Sequence, residues 1–242
     1  YYGGFNYVSP NSSQFKQVTR VKGIDVNEDF VVSTFAQDPD GSIWVGSDNS
    51  GLVHCLDNGD CASIAASQSW NVHSIWADPD YVWVGTYGHS LMRINKRSGT
   101  IRNYSQANGL DDSSVYALKR DSRGRLWAAT VSGLFVYLEG TDRFEKRYTT
   151  GSICYDIEES WNGDLWFSTI SRGIYRLCGA DSSWRNYGLD AGTMISDVVY
   201  SLYASMDGNV YAATADGLAR YYESDDSFKL QGLDQYGSLM HI

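Results

Sequence analysis

The sequence is poor in the features that mark membrane-spanning and nucleic-acid-binding proteins. No apolar stretch among its 242 residues approaches the roughly 18 to 20 residues that a membrane-spanning helix requires. Lysine and arginine total only 19 against 29 acidic residues, which gives a formal net charge of −10. Because phosphate binding needs a basic surface, this balance argues against DNA, RNA or an anionic membrane as the main partner. The composition therefore predicts neither membrane insertion nor nucleic-acid binding by this chain.

The sequence also lacks the motifs of common hydrolytic and cofactor-dependent enzymes. It contains no Ser-His-Asp pattern, His-Glu-x-x-His, P-loop or dinucleotide fingerprint, and its 4 histidines are scattered at positions 54, 73, 89 and 241. The 4 cysteines form no CxxC pair, so we predict no metal site and no cofactor. Cys55 and Cys61 flank a turn sequence and could face each other across a hairpin. A disulfide between them is therefore left open.

Proline is also scarce, at 3 residues, whereas 24 glycines, 18 tyrosines and 8 tryptophans suit many short strands joined by tight turns. One pattern recurs, most clearly as Asp121-Ser-Arg-Gly-Arg-Leu-Trp127-Ala-Ala-Thr130 followed by Gly133-Leu134. Its aromatic anchors are 39, 44, 39 and 45 residues apart, at Trp44, Trp83, Trp127, Trp166 and Tyr211. Five copies at this spacing indicate a repeat protein.

Each copy contains four segments with the pattern of a strand. An apolar alternation such as Val115-Tyr-Ala-Leu118 comes first, the tryptophan segment second, a segment opening with Gly-Leu third, and a short aromatic segment fourth. Four antiparallel strands in about 40 residues are typical of a β-propeller blade. We therefore predict an all-β fold, a β-propeller with its tryptophans buried between blades. The predicted four-stranded antiparallel blades span residues 30–68, 70–108, 113–149, 151–188 and 196–230.

The two ends of the chain match parts of the same repeat. Residues 1–22 contain segments like a third and a fourth strand, and residues 236–242 contain a segment like a first strand. This pattern predicts one propeller domain, or a propeller fragment, with five complete repeats and a partial blade at each end. Because unpaired strand edges invite association, the prediction includes a homodimer or other self-association through open blade edges.

The sequence varies most in the loops that lead into a blade, which we call incoming loops. Gly-Leu-Asp or Gly-Ile-Asp opens the incoming loops of the first, third and fifth copies, whereas the second and fourth copies lack it. We expect the incoming loops to share one face with the loops between second and third strands. Sugars are bound by aromatic faces together with planar hydrogen-bonding side chains, so we predict ligand contacts from loop residues of these kinds. They are Asn71, Tyr87, His89, Asp111 and Arg172.

Other conspicuous side chains have a structural explanation. Asp38, Asp78 and Asp121 recur at the turn before the tryptophan strand, where a carboxylate shapes the turn by accepting backbone N–H groups. His73 occupies an inner-strand position that is tyrosine in three other copies, which predicts a packed and hydrogen-bonded side chain. Asp111 belongs to a doubled acid, so it could cap a turn rather than bind a ligand.

The clearest copy resembles the regulator-propeller repeat of hybrid two-component sensors from Bacteroides. Its Gly109-Leu-Asp-Asp-Ser-Ser-Val-Tyr-Ala-Leu, the Asp121 motif that follows, and Gly133-Leu134 match that repeat nearly throughout. The resemblance implies a periplasmic or extracellular input module, which in that family precedes a membrane helix and a histidine kinase. It further implies that the module senses an oligosaccharide and is not itself an enzyme.

Two other functions stay open at this point. A secreted propeller enzyme, a lyase or a glycoside hydrolase, would need a convergent acid–base pair on one face. A propeller similar to streptogramin lyases would need a catalytic histidine on its central face, and His89 is the candidate. A protein-interaction scaffold would instead use this face to dock another protein.

Overall fold

The computed structural model of the chain describes residues 21–23 and 30–232. Within them, 20 strands form five separate four-stranded antiparallel sheets, in which strands pair in chain order from the inside of each blade to its outside. The only helices in the described part are three single 3₁₀ turns, at Ala65–Ser67, Gln106–Asn108 and Glu139–Thr141. The predicted all-β fold with five four-stranded blades is confirmed.

The strands are numbered in chain order, and each blade holds four of them. Blade 1 comprises β1 (Val32–Gln37), β2 (Ile43–Ser47), β3 (Gly51–Cys55) and β4 (Cys61–Ser63). Blade 2 comprises β5 (Asn71–Ala77), β6 (Tyr81–Tyr87), β7 (Leu91–Asn95) and β8 (Ile101–Tyr104). Blade 3 comprises β9 (Val115–Arg120), β10 (Leu126–Thr130), β11 (Gly133–Leu138) and β12 (Arg143–Thr149). Blade 4 comprises β13 (Cys154–Glu159), β14 (Leu165–Thr169), β15 (Ile174–Leu177) and β16 (Trp184–Tyr187). Blade 5 comprises β17 (Val199–Ala204), β18 (Val210–Thr214), β19 (Gly217–Tyr222) and β20 (Ser227–Leu230).

The blades follow one another around a common axis. Each innermost strand contacts the innermost strand of the next blade, in the order β1, β5, β9, β13, β17. The partial blade predicted for residues 236–242, and residues 1–20 of the one predicted at the start, lie outside the described residues. Of that first segment, Lys22 forms a parallel bridge to Ala62, so residues 21–23 run beside the outermost strand of blade 1.

The tryptophan anchors are buried between blades, as predicted. Trp44, Trp83, Trp127 and Trp166 each belong to a hydrophobic cluster that joins their own blade to the next one. Burying a large aromatic side chain is a major stabilising contribution, and a buried indole N–H requires an acceptor. These four clusters form the core of the propeller.

The turn aspartates satisfy these indoles as well as shaping the turns. Asp121 accepts backbone N–H bonds from Arg123 and Arg125 at 3.1 and 2.8 Å, which confirms the predicted turn role. Its second oxygen accepts the Trp127 indole N–H at 2.9 Å. In blade 4 the hydroxyl of Ser160 replaces the carboxylate and accepts the Trp166 indole at the same distance. The aspartate of the repeat therefore connects a tight turn to the core between two blades.

The incoming loops and the loops between second and third strands lie on one face, as predicted. Backbone hydrogen bonds join the two sets directly, as from Ser90 to Ser113 and from Gly173 to Asp197. Gly51, at φ +82°, donates to Trp70 in the same way, and a Cβ there would lie 2.0 Å from the Ser67 carbonyl oxygen. We call this side the loop face, and the opposite side, where Asp121 and its equivalents lie, the turn face.

Cys55 and Cys61 form a disulfide across the β3–β4 hairpin, which settles the pairing that the sequence left open. Their Cα atoms are directly paired partners in the two strands. Cys154 and Cys178 are free, the first of them buried. Burial raises the pKa of the Cys154 thiol to about 12, so it remains protonated and is not a nucleophile at neutral pH.

Candidate functional site

Each innermost strand contains an irregularity at the same position. In all five blades one residue is skipped in the pairing between the first and the second strand, near the loop face. A bulge of this kind changes the direction of a side chain and commonly marks a functional rim. The skipped residues are Ser33, His73, Tyr116, Tyr155 and Tyr200.

The bulge residues of the middle blades contact one another along the axis. The ring centroids of His73 and Tyr116 are 4.8 Å apart, and those of Tyr116 and Tyr155 are 5.1 Å apart. Tyr87, at the end of β6, adds an edge contact to His73 at 6.1 Å. We call Tyr87, His73, Tyr116 and Tyr155 the axial aromatic row. The bulge position continues beyond it to Tyr200 in blade 5.

The ends of the axial aromatic row are open to solvent. Tyr87 is 57% exposed and Tyr155 38% exposed, and Tyr200 beyond them is 56% exposed. Large aromatic rings that stay accessible next to the axis, on the innermost strands of four successive blades, are not required by the packing of the blades. They provide flat apolar surfaces with hydroxyl groups at their edges, which suits a ligand that has both apolar faces and hydroxyl groups.

The electrostatics of the row favour uncharged side chains. Burial lowers the pKa of His73, and Asp48 in the neighbouring β2–β3 loop only partly offsets this. Burial also raises the pKa of Tyr116, with further contributions from Tyr155 and Tyr87. At neutral pH His73 is therefore a neutral imidazole and Tyr116 a protonated phenol. Each can donate and accept hydrogen bonds without the cost of desolvating a charge.

Two of the sequence-predicted site residues lie at this row. Tyr87 belongs to it, and Asn71 is the directly paired residue on β5. The side-chain oxygen of Asn71 is buried and has no hydrogen-bond partner in the described part of the chain. A buried polar atom of this kind calls for a partner, so a ligand or water next to Tyr87 would satisfy it.

The other three predicted residues lie elsewhere on the loop face. His89 stacks on Trp70, with ring centroids 4.4 Å apart. Asp111 forms an ion pair with Lys146 at 3.1 Å, and Arg172 uses its backbone N–H to bond the Thr169 hydroxyl at 2.9 Å. The structure therefore does not bring all five residues together. Their roles in binding stay predictions.

The sequence analysis missed most of the axial aromatic row. It placed His73 in a packed role, and the structure adds that this packing is on the rings of Tyr87 and Tyr116. The signal was present, because tyrosine recurs as the second residue of the first strand in the third, fourth and fifth copies. Strand alternation alone does not reveal a bulge, so it did not show that these tyrosines face the axis.

Neither a metal-ligand cluster nor a membrane-spanning helix occurs within residues 21–23 and 30–232. No group of three or more His, Cys, Asp or Glu side chains there is arranged to hold a metal ion. No helix in the same residues is long and apolar enough to span a bilayer.

Comparison with known families matches the repeats directly. The family model described as "Two component regulator propeller" matches residues 25–49 and 109–132, which run from the incoming loops of blades 1 and 3 to the ends of their second strands or just beyond. Among curated proteins, no relative matches the sequence. The family match therefore covers parts of two of the five repeats.

Several solved structures share the fold. The extracellular domain assigned to the hybrid two-component system BT3049 of B. thetaiotaomicron aligns with a TM-score of 0.67 at 18% identity, over 84% of this chain and 30% of that one. PorZ of Porphyromonas gingivalis, a surface component of the type-IX secretion system, gives 0.63 at 15% identity over 87% and 35%. Virginiamycin B lyase of Staphylococcus aureus gives 0.64 at 16% identity over 84% and 70%. The chain thus spans about a third of the first two proteins, and at these identities the likeness extends to the fold.

Proposed function

We propose, from the premise that this chain carries two-component regulator propeller repeats, that it is a non-catalytic sensor domain that binds an oligosaccharide outside the cytoplasm. The observation that carries the proposal is the axial aromatic row, since the bulged strands β5, β9 and β13 present uncharged aromatic and hydroxyl groups toward one axis. A sugar ring has apolar C–H faces and a rim of hydroxyl groups. Aromatic faces with neutral donors and acceptors nearby complement both parts.

Two further observations support the proposed location. The Cys55–Cys61 disulfide belongs to an oxidising compartment such as the periplasm or the cell exterior. The structural neighbour BT3049 is described as an extracellular domain of a hybrid two-component system. A periplasmic or extracellular sensor module therefore agrees with both the chemistry of the chain and its repeat family.

Calorimetric titration of the purified domain with a panel of oligosaccharides tests this proposal. We expect a ligand whose affinity falls about tenfold or more in Tyr116→Ala or Tyr155→Ala, since a stacking contact contributes about 1–3 kcal/mol. Tyr203→Ala is the matched control, because Tyr203 is an exposed tyrosine on an innermost strand, outside the row. A ligand that all three variants bind like the parent would refute the row as the site, and no binding to any glycan would refute sugar sensing.

A lyase is the second candidate, because a lyase shares the fold and because the structure places a histidine on the axis. That histidine is His73, which contacts Tyr87 and Tyr116 in the row, whereas the sequence favoured His89. A neutral imidazole beside phenols could act as a general base. We expect no turnover when product release is assayed alongside the titration. Sustained product formation that His73→Ala abolishes, and His89→Ala does not, would replace the sensor assignment by an enzyme.

A further inference from the structure

The turn face carries an open cleft between blades 4 and 5, far along the strands from the axial aromatic row. It encloses about 250 Å³, and Trp161 stands at its rim with 78% of its surface exposed. A tryptophan this exposed contributes little to the core, unlike the buried anchor Trp166 of the same blade. Its position at a cleft therefore points to a ligand.

The buried anchor of this blade, Trp166, follows Trp161 by five residues and lies beneath the cleft. The indole edge of Trp161 rests on the backbone of Gly208, in the corresponding turn of blade 5. A Cβ at Gly208 would lie 2.7 Å from the Trp161 Nε1 atom, and the φ of Gly208 is +89°. A side chain at position 208 would collide with the indole, so only glycine allows Trp161 to lie across this turn. The contact holds the ring in place while most of its surface stays accessible.

Polar groups with unused hydrogen-bonding capacity also line the cleft. The Arg220 Nη2 atom donates to the Asn209 side-chain oxygen at 2.5 Å, but the buried Arg220 Nε has no partner in the described residues. Glu223 lines the same cleft, and within residues 21–23 and 30–232 its carboxylate has no ion-pair partner within 4.0 Å. The cleft thus combines an aromatic face with a fixed guanidinium, an amide and a free carboxylate.

The equivalent cleft between blades 2 and 3 lacks this combination. There Arg120 contacts Asp78 at 3.0 Å and Glu139 at 3.7 Å, so the acid that corresponds to Glu223 is paired. In the turn that corresponds to that of Trp161, this cleft has Pro79. Blade 5 has Ala204 in place of Arg120. The cleft of blades 4 and 5 therefore lacks the ion pairs that Arg120 forms and has an aromatic platform instead.

In the same comparison, Arg220 replaces a valine. It is paired across the sheet with Tyr211, in the position that Val136 holds opposite Trp127 in blade 3. An arginine in place of a valine at a half-buried position adds a charge that must be desolvated. A polar ligand in the cleft would give the unpartnered Nε an acceptor and offset that cost.

We propose that this cleft binds a single pyranose ring of a glycan, stacked on Trp161 and hydrogen-bonded by Arg220, Asn209 and Glu223. Its volume lies just below the roughly 300–1,000 Å³ of sites for larger small molecules, so one ring fits and the rest of a glycan would extend into solvent. An aromatic face beside planar polar side chains matches a pyranose, which has apolar faces and equatorial hydroxyl groups. This site is separate from the axial aromatic row and shares with it only the class of ligand.

The test follows the indole N–H signal of Trp161 by ¹⁵N NMR, assigned by its loss in Trp161→Phe. Methyl glycosides of neutral hexoses, N-acetylhexosamines and hexuronic acids are titrated one at a time into the intact domain. We expect at least one of them to shift this signal saturably, with an affinity that Arg220→Gln weakens several-fold and Met206→Ala leaves unchanged. Met206 is a fully exposed side chain on the turn of blade 5 and serves as the matched control.

The result also separates this site from the proposed function. Tyr116→Ala should leave the Trp161 shift intact, because the row lies at the loop face, and Trp161→Ala should leave binding at the row intact. The inference is overturned if no glycoside shifts the Trp161 signal while the protein remains folded. It is equally overturned if Trp161→Ala changes only the oligomeric state, since the indole would then serve a contact between copies of the chain.

Discussion

Two kinds of interface between blades alternate along the chain. Between blades 2 and 3, Arg93 on β7 reaches into the next blade and donates to the Tyr137 hydroxyl at 2.8 Å and to Asp142 at 3.1 Å. Tyr104 and Tyr137 both donate to the same Asp142 oxygen at 2.6 Å. The guanidinium also lies 5.2 Å from the Trp83 ring centroid. We call this arrangement an arginine-centred interface.

The interface between blades 4 and 5 repeats it residue for residue. Arg176 donates to the Tyr221 hydroxyl at 2.9 Å, and Tyr187 and Tyr221 both donate to Asp226 at 2.7 Å. Like Asp142, Asp226 has a positive φ, which aspartate tolerates better than most residues. The polar groups are thereby paired inside an otherwise aromatic cluster, as a buried network requires.

The interfaces between blades 1 and 2 and between blades 3 and 4 are built differently, and we call them aliphatic interfaces. In blade 3, Val136 takes the position of the arginine, and Leu177 in blade 4 takes that of the tyrosine. Trp127 packs there with Phe167 at a centroid distance of 5.7 Å and with aliphatic side chains. The burial of apolar area stabilises these interfaces, and their clusters contain no arginine. Between blades 1 and 2, a Lys96–Asp38 ion pair at 2.6 Å adds to the apolar contacts.

The alternation shows that the structural unit of this propeller is a pair of blades. Trp44 and Trp127 are 83 residues apart and Trp127 and Tyr211 are 84 apart, so the uneven single-blade spacings become nearly constant when blades are counted in pairs. Among the five complete blades, the Gly-Leu-Asp type of incoming loop precedes only the odd ones, and the motif recurs in the sequence at Gly232-Leu233-Asp234. In blade 3 it buries Leu110 in the same cluster as Trp83 and Tyr104. The long loop and the arginine-centred interface therefore occur together.

The largest expected effect comes from removing the central indole of each kind of interface. Trp83→Ala and Trp127→Ala should each cost about 3–5 kcal/mol of unfolding free energy, as large aromatic core deletions do. Trp83→Ala should lie at the upper end, because it also removes the ring over which Arg93 lies. Denaturant unfolding of both variants measures this. A cost below about 1 kcal/mol for either one would contradict its place in the core.

The next largest effect should come from Asp142, because its carboxylate is the shared acceptor of an arginine-centred interface. Asp142→Asn keeps the shape and tolerance of a positive φ but removes the charge beside Arg93, and we expect a cost of about 2 kcal/mol. Glu139→Gln, in the same turn but highly exposed, should change the unfolding free energy little. Equal effects of the two substitutions would show that the arginine-centred interface adds nothing beyond a surface charge.

The same carboxylate predicts a dependence on pH. Burial would raise the pKa of Asp142, but hydrogen bonds from Tyr104 and Tyr137 and the Arg93 charge hold it below its ordinary value of 3.8. A depressed folded pKa contributes stability that is present above the unfolded pKa and lost as the pH falls through the folded one. The difference between parent and Asp142→Asn should therefore be constant near neutral pH and shrink below about pH 4. A difference that persists there would rule out the carboxylate charge as its source.

The repetitive part of this architecture could be predicted from the sequence because it depends on local patterns. The tryptophan strand, the turn aspartate and the Gly-Leu strand all lie within about 20 residues of one another in each copy, so their spacing is visible in the chain. The arginine-centred interface is not local, since Arg93 and Asp142 are 49 residues apart in different blades. It is visible in the sequence only when alternate copies are compared, because adjacent copies carry different residues at these positions, as with Arg93 and Val136.

The candidate site was predicted in part for a similar reason. Tyr87 and Asn71 stood out because they differ from the repeat, and the structure places both at the axial aromatic row. Tyr116 and Tyr155 match the repeat, so they do not stand out from the other copies in the sequence. A bulge that turns a conserved-looking strand residue toward the axis leaves no mark on strand alternation. The loops indicate which face carries the candidate site, but its aromatic surface becomes visible only from the register of the strands.

The smallest expected effect concerns the outer edge of the arginine-centred interfaces. Arg102 forms an ion pair with Asp142 at 2.6 Å, but its side chain is 44% exposed, whereas Arg93 is mostly buried. Exposed ion pairs contribute about 0–1 kcal/mol and are screened by salt. We expect Arg102→Gln, and Arg185→Gln at the twin pair with Asp226, to cost less than about 1 kcal/mol at low salt and almost nothing at high salt. Unfolding measured at two salt concentrations gives the comparison, with Arg93→Gln as the buried counterpart that should keep its larger cost at both. If Arg102→Gln costs as much as Arg93→Gln and is equally insensitive to salt, the stabilising charge lies at the surface of the blade pair rather than between its blades.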